Sequence, residues 1–294
     1  MIWGTVLKQK NIEIQNRLVD LNDAKLFNDK LAATVESLYA RRQITRIEGN
    51  EENRSVLTEW EDDVLKRSAA IDRLESLVIE RPVEAVRVAS MLSIYARELS
   101  RQQASASHIR LELLKLVYPD DDSMPLEWEE ALHELKAHPD SVELDEFKRW
   151  AENLIPWRAD VEKAVQVLGR LNMHLADTSD NLKIDLRKTN LQGFDLSGLN
   201  FAGADFSKCI AHGVDFSKSN LSGASFEEAE IGGAIFKYSA CEEASFRFTK
   251  ADGVVFLGAK LDNSKLDYTK IEGADFKLSH INGAEITNSF LSST

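Results

Sequence analysis

The chain has 294 residues, 49 acids against 36 bases, a formal charge of −13 and two cysteines. That length admits two domains, and the acidity argues against direct nucleic-acid binding. Two cysteines exclude a disulfide framework and fit a reducing, cytoplasmic compartment.

Composition changes near residue 181, so the expected domains are an acidic α-helical region, 1–180, and a different fold over 181–294. Residues 8–47 read as one long helix with Ile14, Leu18, Leu21, Leu31, Val35 and Leu38 on one stripe. At 1.5 Å per residue it would span roughly 60 Å. One small domain cannot cover that length, so part of it is expected to pair with another helix or subunit. A second helix is expected over 55–79, and a third begins at Pro82 and runs to Ser100. Further helices are expected at 107–117, 125–137, 142–153 and 157–173, punctuated by Pro119, Pro125, Pro139 and Pro156. The acidic stretch Tyr118–Ser123 reads as a solvated turn.

From Ile184 onward the period is five. Positions 186, 191, 196 and so on to 291 are 22 consecutive apolar residues. Two residues before each lies a second inward position, mostly Ala, Ser, Thr or Val. A fixed short period marks a solenoid. Residues two apart share a face, and the intervening Asp, Asn, Ser, Lys and Gly must face water. Gly193, Gly198, Gly203, Gly213 and six more glycines share one phase, where a corner needs permissive backbone angles. Phe206, Phe226 and Phe246 recur at 20 residues, as do Phe216, Phe236, Phe256 and Phe276. That spacing predicts four units per coil, with two opposed Phe columns inside.

The units Ala204–Lys208, Ala224–Glu228 and Ala274–Leu278 resemble the signature of pentapeptide repeat proteins, over residues 184–294. The resemblance implies a right-handed quadrilateral parallel β-helix behind an all-α N-terminal region, an α+β protein by domain. About five and a half coils would make a shaft about 26 Å long. Ala70–Glu75, Met91–Glu98 and Asp160–Arg170 are similar to the segment before the repeats in a group of bacterial pentapeptide repeat proteins. In that group the N-terminus often spans a membrane. Here Ile2–Leu7 is far short of the ~20 apolar residues a span needs. An integral anchor is therefore not expected, while peripheral contact stays open.

No catalytic, cofactor-binding or metal constellation is legible. His108, His133, His138, His174, His212 and His280 lack ligand spacing with cysteine or carboxylates. Cys209 and Cys241 fall at inward repeat positions and read as core. The expected role is a non-enzymatic protein-binding scaffold or adaptor. The alternative, implied by the resemblance, is a DNA mimic that modulates a type II topoisomerase such as gyrase. A mimic needs about 15 negative charges along such a shaft, whereas residues 182–294 hold 15 acids and 12 bases. Asp185, Asp195, Asp205 and Asp215 are the candidate acidic positions.

Outward repeat positions should be polar, and a few are not. Ile235 and Val255 stack on one side with Leu257 beside them, Tyr238 and Leu278 occupy corners of that side, and Phe248 and Tyr268 stack at another corner. These seven are the expected docking surface, for the protein's own helices or for a protein partner. Ile281, Ile286, Phe290 and Leu291 are expected to form an end through which two copies pair as a homodimer.

Overall fold

The structure, a computed structural model, describes residues 2–48, 55–101, 144–156, 158–174 and 182–289. The chain divides into two compact units, Met1–Arg81 and Pro82–Thr294. The helices expected at 107–117 and 125–137, and the acidic stretch 118–123, lie outside the described residues.

In the first unit, helix α1 (Ile2–Leu38) is followed by an antiparallel hairpin, β1 (Arg41–Glu48) and β2 (Ser55–Asp62), and then by helix α2 (Val64–Glu80). The all-α expectation is thereby corrected. The helix read through residue 47 stops at Leu38, and the one read from 55 starts at Val64. Ile44, Thr45 and Ile47 face Glu59, Thr58 and Val56 across the hairpin. The β-branched pairs Thr45–Thr58 and Ile47–Val56 favour a pleated surface over a helix. The spacing of Phe27, Leu31, Thr34 and Leu38 buries one stripe of α1, and α1 packs on α2, whose Ala70, Ile71, Leu74, Leu77 and Val78 are buried in turn. Above that contact Ile14, Leu18 and Leu21 are each more than half exposed. Asp63 caps α2 by accepting from the Lys66 amide. Arg67, 4 % exposed, holds Asp62 with two bonds and donates to the Ala40 carbonyl. It thus ties the base of the hairpin to α2.

In the second unit a 3₁₀ turn at Pro82–Glu84 leads into α3 (Ala85–Ser100). Helices α4 (Leu144–Glu152) and α5 (Ala159–His174) follow close to their expected places. The repeats then wind with a 20-residue pitch: Asp185 bridges Asp205 in parallel, Asn190 bridges Ile210, and the series continues to Lys265 and Glu285. Each five-residue unit makes one side, so the coil is four-sided. Within a unit, Leu186 N–H donates to Asp205 O, Lys188 N–H to Ser207 O, and Thr189 N–H closes a turn on Leu186 O. Backbone groups are thus satisfied between coils, as burial demands. Both inward positions are buried through most of the shaft, with the Phe columns at its centre.

Helix α5 closes the first coil, which has no coil before it to pair with. Asn172 Nδ2 donates to Asn200 O, Asn200 Nδ2 donates to Asn172 O, and Leu182 N–H donates to Asn172 Oδ1. Gln166 donates to Asp195 O, and Glu162 accepts from Asp195 N–H. These side chains take the place of a neighbouring strand on an otherwise open edge. Gly169 allows the close approach: a Cβ there would lie 2.8 Å from Leu199 Cβ. At the start of α5, fully buried Asp160 accepts from Tyr95 and from Arg158, which fixes α5 to α3.

Candidate functional site

Every corner of the coil is a turn with one residue at positive φ, from Lys188 to Asn288. A single positive φ at the third turn position is the type II pattern, which glycine fits best. Ten of these corners are glycine and eleven are not. The four edges of the coil therefore differ in what they expose.

One edge is glycine throughout: Gly193, Gly213, Gly233, Gly253 and Gly273, 20 residues apart. Helix α4 and the residues after it lie on this edge. A Cβ at Gly213 would meet Ala151 O at 2.1 Å, one at Gly233 would meet Ala151 Cβ at 2.4 Å, and one at Gly193 would meet Leu154 O at 2.6 Å. Beside the contact, Trp150 packs against the His212 ring at 5.5 Å. His212 Nε2 lies 3.5 Å from Glu230, which also accepts from Lys250 at 2.9 Å. Self-docking of a helix on the shaft thus occurs at small residues. The shared glycine phase is legible in the sequence, and the 20-residue recurrence of glycine from Gly193 to Gly273 is the signal that marks this edge.

The large apolar corners lie elsewhere. Tyr238 is 58 % exposed, Leu278 77 %, Phe248 53 % and Tyr268 50 %. All four hold φ between 57° and 60°. Phe248 and Tyr268 stack with centroids 5.0 Å apart, and Arg247 lies over Phe248. Tyr238 packs over Gly258, where a Cβ would come within 2.5 Å of its ring. Ile235, Val255 and Leu257 are half-buried. Tyr238 and Leu278 share one edge with Leu257, whereas Phe248 and Tyr268 occupy the diagonally opposite edge. The seven residues therefore form two surfaces. At the last described coil Ile281 is 47 % exposed and Ile286 is half-buried. Phe290 and Leu291 lie outside the described residues.

The shaft's acids are largely engaged. Asp185 pairs with Arg97 and Arg187, and Arg187 also reaches Asp205 at 3.5 Å. Lys208–Glu228, Arg247–Asp267 and Lys270–Asp252 continue the pattern. Asp195 and Asp215 each accept a backbone amide two residues on. The Arg187 side chain holds Asp185 down to about 2, against the cost of partial burial. His212 and Lys250 bring Glu230 down to about 2 as well. Unfolded Asp and Glu titrate near 4. Both pairings therefore stabilise the fold fully above about pH 4, and that contribution is lost as pH falls through 2. Thermal unfolding followed from pH 5 to pH 2 should show this acid limb, and Glu230→Gln should flatten part of it.

Burial raises the thiols of both cysteines, Cys241 to about 12, so neither is a ready nucleophile. Among the described residues no group of His, Cys, Asp and Glu could hold a metal ion. No helix among them is long and apolar enough to cross a membrane.

Residues 184–223, 200–237 and 241–277 match the family described as Pentapeptide repeats, in eight copies. The repeat region belongs to the pentapeptide repeat family. Members of the family fold as a right-handed β-helix. Among solved structures, a pentapeptide repeat protein from the thylakoid lumen of Arabidopsis thaliana is 31 % identical; the match covers 33 % of this chain and 65 % of that one, with a TM-score of 0.24. Rfr23 from the cyanobacterium Cyanothece 51142 is 22 % identical over 39 % and 68 % of the two chains, TM-score 0.18. QnrB1, a plasmid-mediated fluoroquinolone resistance protein, is 18 % identical over 36 % and 62 %, TM-score 0.22. The chain thus spans less than two thirds of the Arabidopsis protein and of QnrB1. No curated protein matches it.

Proposed function

We propose that this pentapeptide repeat protein is a non-enzymatic cytoplasmic scaffold that presents the corners of a rigid shaft to protein partners. One observation carries the reading. Tyr238, Phe248, Tyr268 and Leu278 are bulky, half or more exposed, and held in the left-handed region. Each such corner is strained relative to glycine, and each exposes apolar surface. A fold selected for stability alone would place glycine or asparagine there, as other corners of the same coil do. Exposed aromatic and leucine side chains on rigid backbone suit an interface, because little side-chain freedom is lost on binding. Pairing of two copies at the coil that holds Ile281 is part of the proposal. The topoisomerase reading draws less support, because cations engage Asp185, Asp205 and Glu230.

The test is a crosslinking pull-down from native cells with the wild-type chain and a Tyr238→Gly/Phe248→Gly/Tyr268→Gly/Leu278→Gly variant. Recovery of the partner should fall at least tenfold in the variant. Undiminished recovery would remove the corners as the docking surface.

A further inference from the structure

Of the four edges of the coil, three carry acids, alone or mixed with bases. The edge formed by residues 197–198, 217–218, 237–238, 257–258 and 277–278 carries none. Its ten residues include Lys218, Lys237 and Lys277 together with Tyr238, Leu257 and Leu278. The three lysines are exposed. None of them forms an ion pair among the described residues, although Lys208 and Arg247 on the diagonally opposite edge pair with acids on neighbouring coils. The nearest carboxylates on the adjoining side, Asp215 and Asp275, each spend an oxygen on a backbone amide, of Ser217 and Lys277. In a chain of charge −13, a purely basic edge interleaved with exposed Tyr and Leu is a local inversion of the surface.

We infer that this edge receives an acidic, amphipathic segment of a partner protein. Its carboxylates meet Lys218, Lys237 and Lys277, and its apolar side chains cover Tyr238, Leu257 and Leu278. The inference rests on the docking reading above and adds the chemistry of the partner. Charge complementarity selects the occupant. Three coils separate Lys218 from the turn that holds Lys277, about 14 Å at the strand spacing, which matches two to three turns of a helix. The unpaired ammonium groups act over roughly a Debye length of 8 Å, so they steer a partner locally in spite of the acidic whole. An anionic membrane is the less suitable occupant, because a chain of net charge −13 is repelled by an extended anionic surface.

The probe is a fluorescent 14-residue amphipathic peptide of Glu and Leu, titrated with the full chain and read by anisotropy. Saturable binding is expected. It should weaken as salt rises from 50 to about 200 mM, in keeping with screening, and fall at least tenfold in Lys218→Glu/Lys237→Glu/Lys277→Glu. The lysines are exposed, and circular dichroism checks that the variant folds. Failure to bind, or equal binding by the charge-reversed chain, overturns the inference. If Tyr238→Gly/Leu278→Gly loses partners in the pull-down while the charge-reversed chain keeps them, the docking surface stands and the acidic partner does not. Capture by phosphatidylserine vesicles without peptide binding makes the occupant a lipid surface and also overturns it.

Discussion

Gly213→Ala loses about 3 kcal/mol of stability and Gly223→Ala about 1, when the two are compared by urea unfolding. Both glycines hold nearly the same left-handed angle, φ 65° and 66°, so both substitutions incur the same backbone strain. They differ in what the new methyl meets. At Gly223 nothing lies within 4 Å, whereas at Gly213 the Ala151 carbonyl oxygen stands 2.1 Å away. A backbone atom cannot step aside as a flexible side chain does, so α4 as a whole must lift. The displaced helix also loses the contact between Trp150 and His212. Amide exchange over residues 144–152 should quicken in Gly213→Ala and stay unchanged in Gly223→Ala. Equal losses in the two variants would mean that α4 is not held on the glycine edge.

Phe226→Ala costs about 4 kcal/mol, the middle of the range for removing a buried aromatic. The ring is fully buried at mid-shaft. It stacks on Phe206 at 4.8 Å and on Phe246 at 5.1 Å, nearly parallel to both. It also meets Phe216 and Phe236 edge-on, at 5.6 and 5.7 Å. Four ring contacts of favourable geometry vanish together, and the coils above and below cannot close on the space, because their backbones are fixed by the bonds between coils. Since a solenoid is stabilised largely by contacts between neighbouring coils, the transition should also broaden as the two halves of the shaft uncouple. Phe226→Leu should lose about 1.5 kcal/mol and keep a single sharp transition. A loss below about 1 kcal/mol for the alanine variant would contradict a close-packed phenylalanine interior.

The repeat was legible because each unit imposes the same local demands on its five residues. The 20-residue recurrence of Phe206, Phe226 and Phe246 anticipated the bridges that join Asp185 to Asp205 and Asp205 to Ser225. The helix expected at 157–173 was legible, but not the exchange of amides between Asn172 and Asn200 by which it closes the first coil. The hairpin was not legible. Arg41, Arg42, Arg46 and Glu48 suit a helix as well as a strand, and only pairing with Ser55–Asp62 decides for the strand. The placing of the outward apolar residues on a side and at corners was legible, but not how far each is exposed. Ile235 and Val255 lie on a flat side and are half-buried, while Tyr238 and Leu278 project from a turn and stay exposed. The period assigns each residue to side or corner; its burial is decided by the neighbouring coils.

Under the proposed function, the bulky corners exist for a partner at the expense of the fold. Leu278→Gly tests it most directly, since Leu278 is 77 % exposed at φ 60°. Relief of the left-handed strain should outweigh the entropy glycine adds to the unfolded chain. The thermal midpoint of the full chain should rise by about 2 °C, the shift expected for somewhat less than 1 kcal/mol in a chain of this size. A fall in the midpoint would show that Leu278 serves the shaft itself, and the claim that the corners are built for docking would lose its ground.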